Sequence, residues 1–357
     1  MSLALPGKLF AAPEQEIPWL AEVQQAPTNP ALRDTGYFEP LLITEDGSPI
    51  TTQAKWQKCR VAIRDRWLGF LGPMPERPPV QLTTLSEDRP DGCRRLLVRY
   101  ESEVGQAVEG YLLYPDPIGD KTRPALVVLH STTKDTIFEV AGVTGRDSRA
   151  LGLKLARQGF VVFCPRCFLW QDTSLGYEAA AARFQSRHPG TLGMRKMLND
   201  AQCAVDVLNS LPEVDPDRIG AAGHSLGAKE SLYLAAFDER VKAAVASEGG
   251  IGFGFTNWQA PWYLGSEIHK PGFTLNHHQL LALIAPRAFL ILGGESGPPT
   301  TSVADGDRSW PYLEAALAVY RLYGKPARLG LYNHRQGHTI PPMALSRLTA
   351  WLPPYLA

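Results

Sequence analysis

Net charge is missing from this sequence: 36 Lys and Arg are matched by 36 Asp and Glu. With no basic stripe either, nucleic acid and anionic membranes are not expected partners. Long apolar runs are also missing, and none approaches the roughly 20 residues that span a bilayer. Met1 to Phe10 lacks the charged start and apolar core of a secretion signal. A cytoplasmic location is therefore the default expectation, and a leader removed from the natural protein stays compatible with it. Cysteine is scarce and odd in number, with five residues at 59, 93, 164, 167 and 203. That suits reduced thiols better than a disulfide framework. Cys164-Pro165-Arg166-Cys167 has CxxC spacing without a second pair, so it reads as loop structure after an apolar strand rather than a zinc site. Repeats and low-complexity tracts are absent, which leaves no signature of a repeat array.

What is present changes character near residue 80. Residues 1–79 are rich in proline and aromatics, with one helical stretch from Thr51 to about Leu71. Gly72-Pro73-Met74-Pro75 stops it, because proline lacks the amide hydrogen and disfavours helix before it. This part reads as a partly helical N-terminal extension, and residues 80–357 as the catalytic domain. Val80–Leu85, Arg94–Tyr100 and Val108–Tyr114 alternate as antiparallel strands do. Short continuous apolar runs follow at Ala125–Leu129, Phe160–Cys164, Ile219–Ala222, Val241–Ala246, Ala288–Leu292 and Arg328–Tyr332, as in strands covered on both faces. Helical stretches separate them at Asp147–Gln158, Leu192–Leu211, Leu226–Phe237, Asn276–Ile284, Trp310–Leu322 and Pro342–Tyr355. The pattern predicts one mostly parallel α/β sheet with helices on both faces.

The chemistry concentrates after the run Ile219–Ala222. It leads into Gly223-His224-Ser225-Leu226-Gly227, followed at once by a good helix-forming segment, the strand–turn–helix context of a nucleophile elbow. Glycines two residues either side relieve the crowding of the turn, and the helix N-terminus favours negative charge beside Ser225. This is the α/β-hydrolase fold's signature, and it assigns Ser225 as nucleophile. A base must remove the serine proton. The chain order Ser, acid, His places that base after the last strand, where His338 in Gly337-His338-Thr339-Ile340-Pro341 is favoured over His334. For the acid, Glu248 at the end of the Val241 strand stands beside Glu295, Asp305 and Asp307 after the Ala288 strand. Asp307 reads equally well as a helix cap.

The oxyanion hole needs two preorganised donors. The Leu226 amide is one; the Ser131 amide after Ala125–Leu129 is the other, with Thr132 as its alternative and His130 as orienter of that loop. The aromatic insertion from Phe253 to Tyr263 nominates Trp258, Trp262 and Tyr263 as pocket walls, with Asn257 and Gln259 as polar partners and Trp170 and Trp310 as further candidates. His277 and His278 are adjacent on a helix and point to different sides, so neither they nor His269 make a metal site; no cofactor is expected.

The residues Gly-His-Ser-Leu-Gly-Ala-Lys (223–229), Ala-Phe-Asp-Glu-Arg-Val (236–241), Ser-Glu-Gly-Gly (247–250), the run 277–287 and Gly337-His338 resemble glucuronoyl esterases and related acetylxylan-esterase-like or dienelactone-hydrolase-like bacterial proteins. In glucuronoyl esterases the acid is often a glutamate after the strand that follows the nucleophile, a position Glu248 matches, while other members keep it after the next strand, in the Glu295–Asp307 region; the resemblance ranks Glu248 first. Those enzymes typically carry arginine after the nucleophile, where this chain has Leu226, and that departure argues against a uronate ester. The expected function is a serine carboxylic-ester hydrolase working through an acyl-enzyme, on carbohydrate-linked or small aryl or acetyl esters. The alternatives are a prolyl-oligopeptidase-like peptidase, for which 80 irregular residues are too few to build a propeller, and a non-catalytic binding protein that keeps the fold.

Overall fold

A computed structural model describes residues 17–28, 38–44, 46–90, 92–119, 121–296, 304–324 and 326–357. The Met1–Phe10 segment thus lies outside the described residues.

Helix α1 (Gln53–Leu71) starts where the Thr52 side chain accepts the Lys55 amide, and ends at Gly72. Its buried residues, Trp56, Ile63, Trp67 and Leu71, recur at intervals of seven and four and form one apolar stripe. A meander of β1 (Thr83–Asp88), β2 (Cys93–Glu103) and β3 (Gln106–Pro115) follows, all antiparallel. Then come β4 (Arg123–Leu129), α2 (Ile137–Val140), α3 (Leu151–Arg157), β5 (Val161–Pro165), α4 (Tyr177–Arg187) and α5 (Gly193–Asn209). The second half is β6 (Val214–His224), α6 (Leu226–Phe237), β7 (Val241–Ser247), α7 (His277–Ile284), β8 (Ala288–Gly293), α8 (Trp310–Arg321), β9 (Leu329–Asn333) and α9 (Pro342–Tyr355).

The nine strands form one sheet in the order β1-β2-β3-β5-β4-β6-β7-β8-β9. From β5 to β9 all neighbours are parallel. Alternate residues feed two cores: Val127 and Leu129 pack with α1, α5, α6, α7 and α8, whereas Leu126 and Val128 pack with α2, α3 and α9. The predicted α/β-hydrolase architecture, a mostly parallel sheet between helix layers, is what forms. Two helices, α2 and α4, were not foreseen, and the stretch expected as one helix from Asp147 divides into a single 3-10 turn and α3. The four-residue α2 is too short to show a periodicity. The chain reverses direction across the sheet between β4 and β6, and that switch point opens a crevice above the carboxyl ends of the strands.

Candidate active site

Ser225 stands in that crevice between β6 and α6 with φ 59° and ψ −112°. A non-glycine residue pays strain for this conformation, and the neighbouring packing holds it there. The Ser225 N–H donates to the Ser247 carbonyl at 2.8 Å, which fixes the elbow to the end of β7. A Cβ on Gly223 would collide with the Gly227 carbonyl, and one on Gly227 with the Leu129 carbonyl. Neither position admits a side chain. Leu226 follows, with its side chain buried in the core at 1% exposure, so from this residue only the backbone amide can serve an oxyanion.

Glu248 leaves β7 in a similarly unusual conformation, φ 58°, and its carboxylate is fully buried. Its Oε2 accepts the Ala304 and Asp305 amides at 3.1 and 3.2 Å and lies 3.7 Å from His338 Nδ1. Burial raises its pKa above the ordinary carboxylate value; the His338 hydrogen bond works against that, and the nearby Asp305 charge adds to it. His338 is partly exposed, and its ring lies 4.9 Å from that of His224. Ser225, Glu248 and His338 together line a cavity of about 300 Å³.

The other carboxylates are engaged elsewhere. Glu295 accepts the Arg308 amide at 3.0 Å and sits 3.6 Å from the Arg308 guanidinium. Asp307 binds Asn333 at 2.9 Å and Arg335 at 2.8 Å. Asp305 accepts the Gly250 and Ile251 amides at 2.7 and 2.8 Å, so it braces the loop that carries Glu248. His334 is buried behind Glu248 rather than on the cavity wall, with Nε2 3.6 Å from Glu248 Oε1.

On the oxyanion side, Thr132 contributes to the cavity wall. The Ser131 hydroxyl donates to the His224 carbonyl at 3.1 Å, tying this loop to the elbow. His130 Nε2 accepts the Cys167 amide at 3.0 Å, so in the neutral ring Nδ1–H donates to the Ser131 carbonyl at 2.8 Å. Burial lowers its pKa to about 4, which keeps that neutral tautomer. His130 therefore does orient the loop.

Trp262 and Tyr263 line the cavity together with Asn257. Trp258 needs correction: it is fully buried, and its Nε1 donates to the Gly250 carbonyl at 2.6 Å, so it backs the wall instead of forming it. Trp310 is likewise in the core, whereas Gln259 is exposed. Trp170 does reach the cavity, and Tyr177 of α4 bridges it to Trp262 with ring centroids 4.9 and 5.6 Å apart. Sequence reasoning missed Tyr177, whose helix gave no usable signal. It also missed Lys229, whose place one turn after Ser225 puts both on one helix face. Lys229 lines the cavity, donates to the Gly249 carbonyl at 2.7 Å and Thr256 Oγ1 at 2.5 Å, and lies 3.7 Å from the Trp258 ring centre. Burial pushes its pKa well below the usual lysine value.

His277 and His278 are structural. The His277 ring is held by the Ile251 carbonyl and the Tyr233 hydroxyl, and His278 by the Glu39 carbonyl. Among the described residues, no three His, Cys, Asp or Glu groups lie together as a metal site. Cys164 and Cys167 are both buried free thiols. No described helix is long and apolar enough to cross a membrane.

Residues 108–271 match the model of the dienelactone hydrolase family. A carbohydrate esterase from an unknown prokaryotic organism is 28% identical over 139 residues, which are 34% of this chain and 31% of that relative's length. Among solved structures, a glucuronoyl esterase from Solibacter usitatus aligns with TM-score 0.69 at 18% identity, covering 88% of this chain and 98% of its own. A CE15 glucuronoyl esterase from Teredinibacter turnerae gives 0.65 at 21% identity, covering 88% of each chain.

Proposed function

From a chain whose residues 108–271 match the model of the dienelactone hydrolase family, we propose a serine carboxylic-ester hydrolase. One observation carries the reading. A strained elbow serine, a partly exposed histidine and a buried carboxylate 3.7 Å from that histidine all line one cavity. In this reading Ser225 Oγ attacks the ester carbonyl while His338 takes its proton. Glu248 fixes the imidazole tautomer and stabilises the imidazolium. The oxyanion forms against the Leu226 amide at the N-terminus of α6 and an amide of the Ser131-Thr132 loop. His338 returns the proton to the leaving alcohol, then activates the water that releases the acid.

The cavity also bears on the substrate. The Trp170, Tyr177 and Trp262 rings offer apolar faces, while Asn257, Thr256 and Lys229 offer polar groups. Two acceptors already engage the Lys229 amine. Faces for stacking combined with few, convergent donors suit a carbohydrate-linked or aryl ester. The carbohydrate esterase named above supports this choice of class. No side-chain cation follows the nucleophile, which disfavours an acidic sugar at that position.

A fluorophosphonate probe tests the mechanism. Folded protein should be labelled once, at Ser225, and Ser225→Ala should abolish the labelling. Folded wild-type protein that resists the probe would defeat the hydrolase reading.

A further inference from the structure

The acid of this site faces two histidines. Oε2 of Glu248 meets His338 and two backbone amides. Among the described residues Oε1, although buried, has no hydrogen-bond partner, and neither does His334 Nε2, which lies 3.6 Å away. Two orphaned polar atoms that face each other in a buried site stand a few tenths of an ångström from a hydrogen bond. The direction of that bond is set by the loop. Nδ1 of His334 accepts the Gln336 amide at 3.2 Å, so in the neutral ring the proton resides on Nε2, facing the carboxylate. Backbone contacts keep the ring in place: the His334 N–H donates to the Gly293 carbonyl at 2.7 Å, and the Gly337 N–H to the Gly294 carbonyl at 2.8 Å. Gly294 leaves the space, since a Cβ there would come within 2.6 Å of Glu248 Oε1.

We propose that His334 is a positioning residue for the triad: its Nε2–H donates to Glu248 Oε1 and holds the carboxylate ionised and turned so that Oε2 meets His338 Nδ1. The inference rests on the ester-hydrolase reading for its effect on rate, but not for the contact itself. Other titratable groups around Glu248 are few. Asp305, from the loop before α8, adds negative charge that opposes ionisation, and His338 favours it. The His224 ring lies 4.9 Å from that of His338, and burial together with the His338, Arg149 and His334 charges lowers its pKa. A neutral donor on Oε1 offsets the Asp305 charge without adding a positive charge that would compete with the imidazolium of His338. Burial lowers the His334 pKa, against a weaker opposing effect of the Thr339 backbone, and so keeps the ring a neutral donor.

The test compares His334→Phe, which keeps a ring without the N–H, with His334→Gln, which keeps an amide donor of similar reach. Two readouts are taken: the pH profile of kcat/KM with p-nitrophenyl acetate, and the carboxyl 13C titration of Glu248. His334→Phe should lose about 10- to 100-fold in kcat/KM, the usual effect of removing a group that orients an active-site ligand. Its Glu248 titration and acidic limb should move up by about one pH unit, because the ionised form loses a hydrogen bond. His334→Gln should recover most of both. An unmoved Glu248 titration in His334→Phe would overturn the inference, as would equal rate losses in both variants with an unmoved acidic limb. A wild-type protein that hydrolyses no ester, yet shows the titration shift on substitution, would instead defeat the esterase reading and leave the contact standing.

Discussion

The proposed triad acid is held by groups with no chemistry of their own. Glu248 is buried, takes two backbone amides on Oε2, and is flanked by Asp305, itself occupied with the Gly250 and Ile251 amides. Burial outweighs those bonds and leaves its pKa above the ordinary glutamate value. In the proposed mechanism the working form of Glu248 is the ionised one. Activity should therefore fall on the acid side at a higher pH than an unperturbed glutamate would give. The same geometry separates Glu248 from Glu295 and Asp307, two of the other carboxylates that sequence reasoning proposed. Glu248→Gln should reduce kcat on p-nitrophenyl acetate by about 10³- to 10⁴-fold, the range for a triad acid replaced by its amide. Asp307→Asn and Glu295→Gln should leave kcat within about tenfold while lowering the melting temperature, because each loses hydrogen bonds that join loops. A Glu248→Gln enzyme with near wild-type turnover would move the acid role elsewhere.

At the scale of the elements, the site depends on how closely the strand ends approach each other. The β6–α6 elbow touches the end of β4 at Gly227, and the β8 end touches the β9–α9 loop at Gly294. Gly227→Ala should cost about 1 to 3 kcal/mol, the penalty of forcing a methyl into a filled space. It should also lose probe labelling at temperatures where circular dichroism still reports a folded chain, because the elbow must open to admit the methyl. Full labelling at wild-type melting temperature would show that the β4 end yields freely. Helix α1 contributes at this scale as well. Trp67 stacks on His277 with ring centres 5.8 Å apart and donates to Gln279 at 2.9 Å. Helix α1 thus shares the core beneath the aromatic insertion.

Across the whole molecule, the two helix layers bury charge as well as apolar surface. Glu230, next to Lys229 in α6, is fully buried, and its pKa rises to about 8, mainly through desolvation and secondly through the Asp200 charge. Its Oε2 has no hydrogen-bond partner. The folded state binds this proton more tightly than the unfolded chain, whose glutamate titrates near 4.5. Stability from the protonated carboxyl is thus complete below about pH 4.5 and is lost as pH rises through about 8. Glu230→Gln should melt at nearly the same temperature as wild type at pH 4.5 and several degrees higher at pH 9, by calorimetry. Parallel melting curves for the two proteins across that range would show that Glu230 is ionised without penalty.

The sequence by itself determined what is local and periodic. Unbroken apolar runs marked strands covered on both faces, and the strand-to-helix junction around Ser225 marked the elbow, because glycine spacing and helix propensity act over a few residues. The place of Gly337-His338 before the last helix nominated the proposed base in the same way. Only the tertiary packing gives Glu248, Glu295 and Asp307 different partners, and that is what favours Glu248 as the proposed acid. All three follow strand ends, and what separates them is which partner each meets across the sheet: His338, Arg308, or Asn333 and Arg335. It also put Trp258 behind the wall and Tyr177 on it, because burial depends on the packing of segments distant in the chain. The second histidine facing Glu248 is a product of that same packing, for strands β7, β8 and β9 lie side by side and their ends converge on one buried carboxylate.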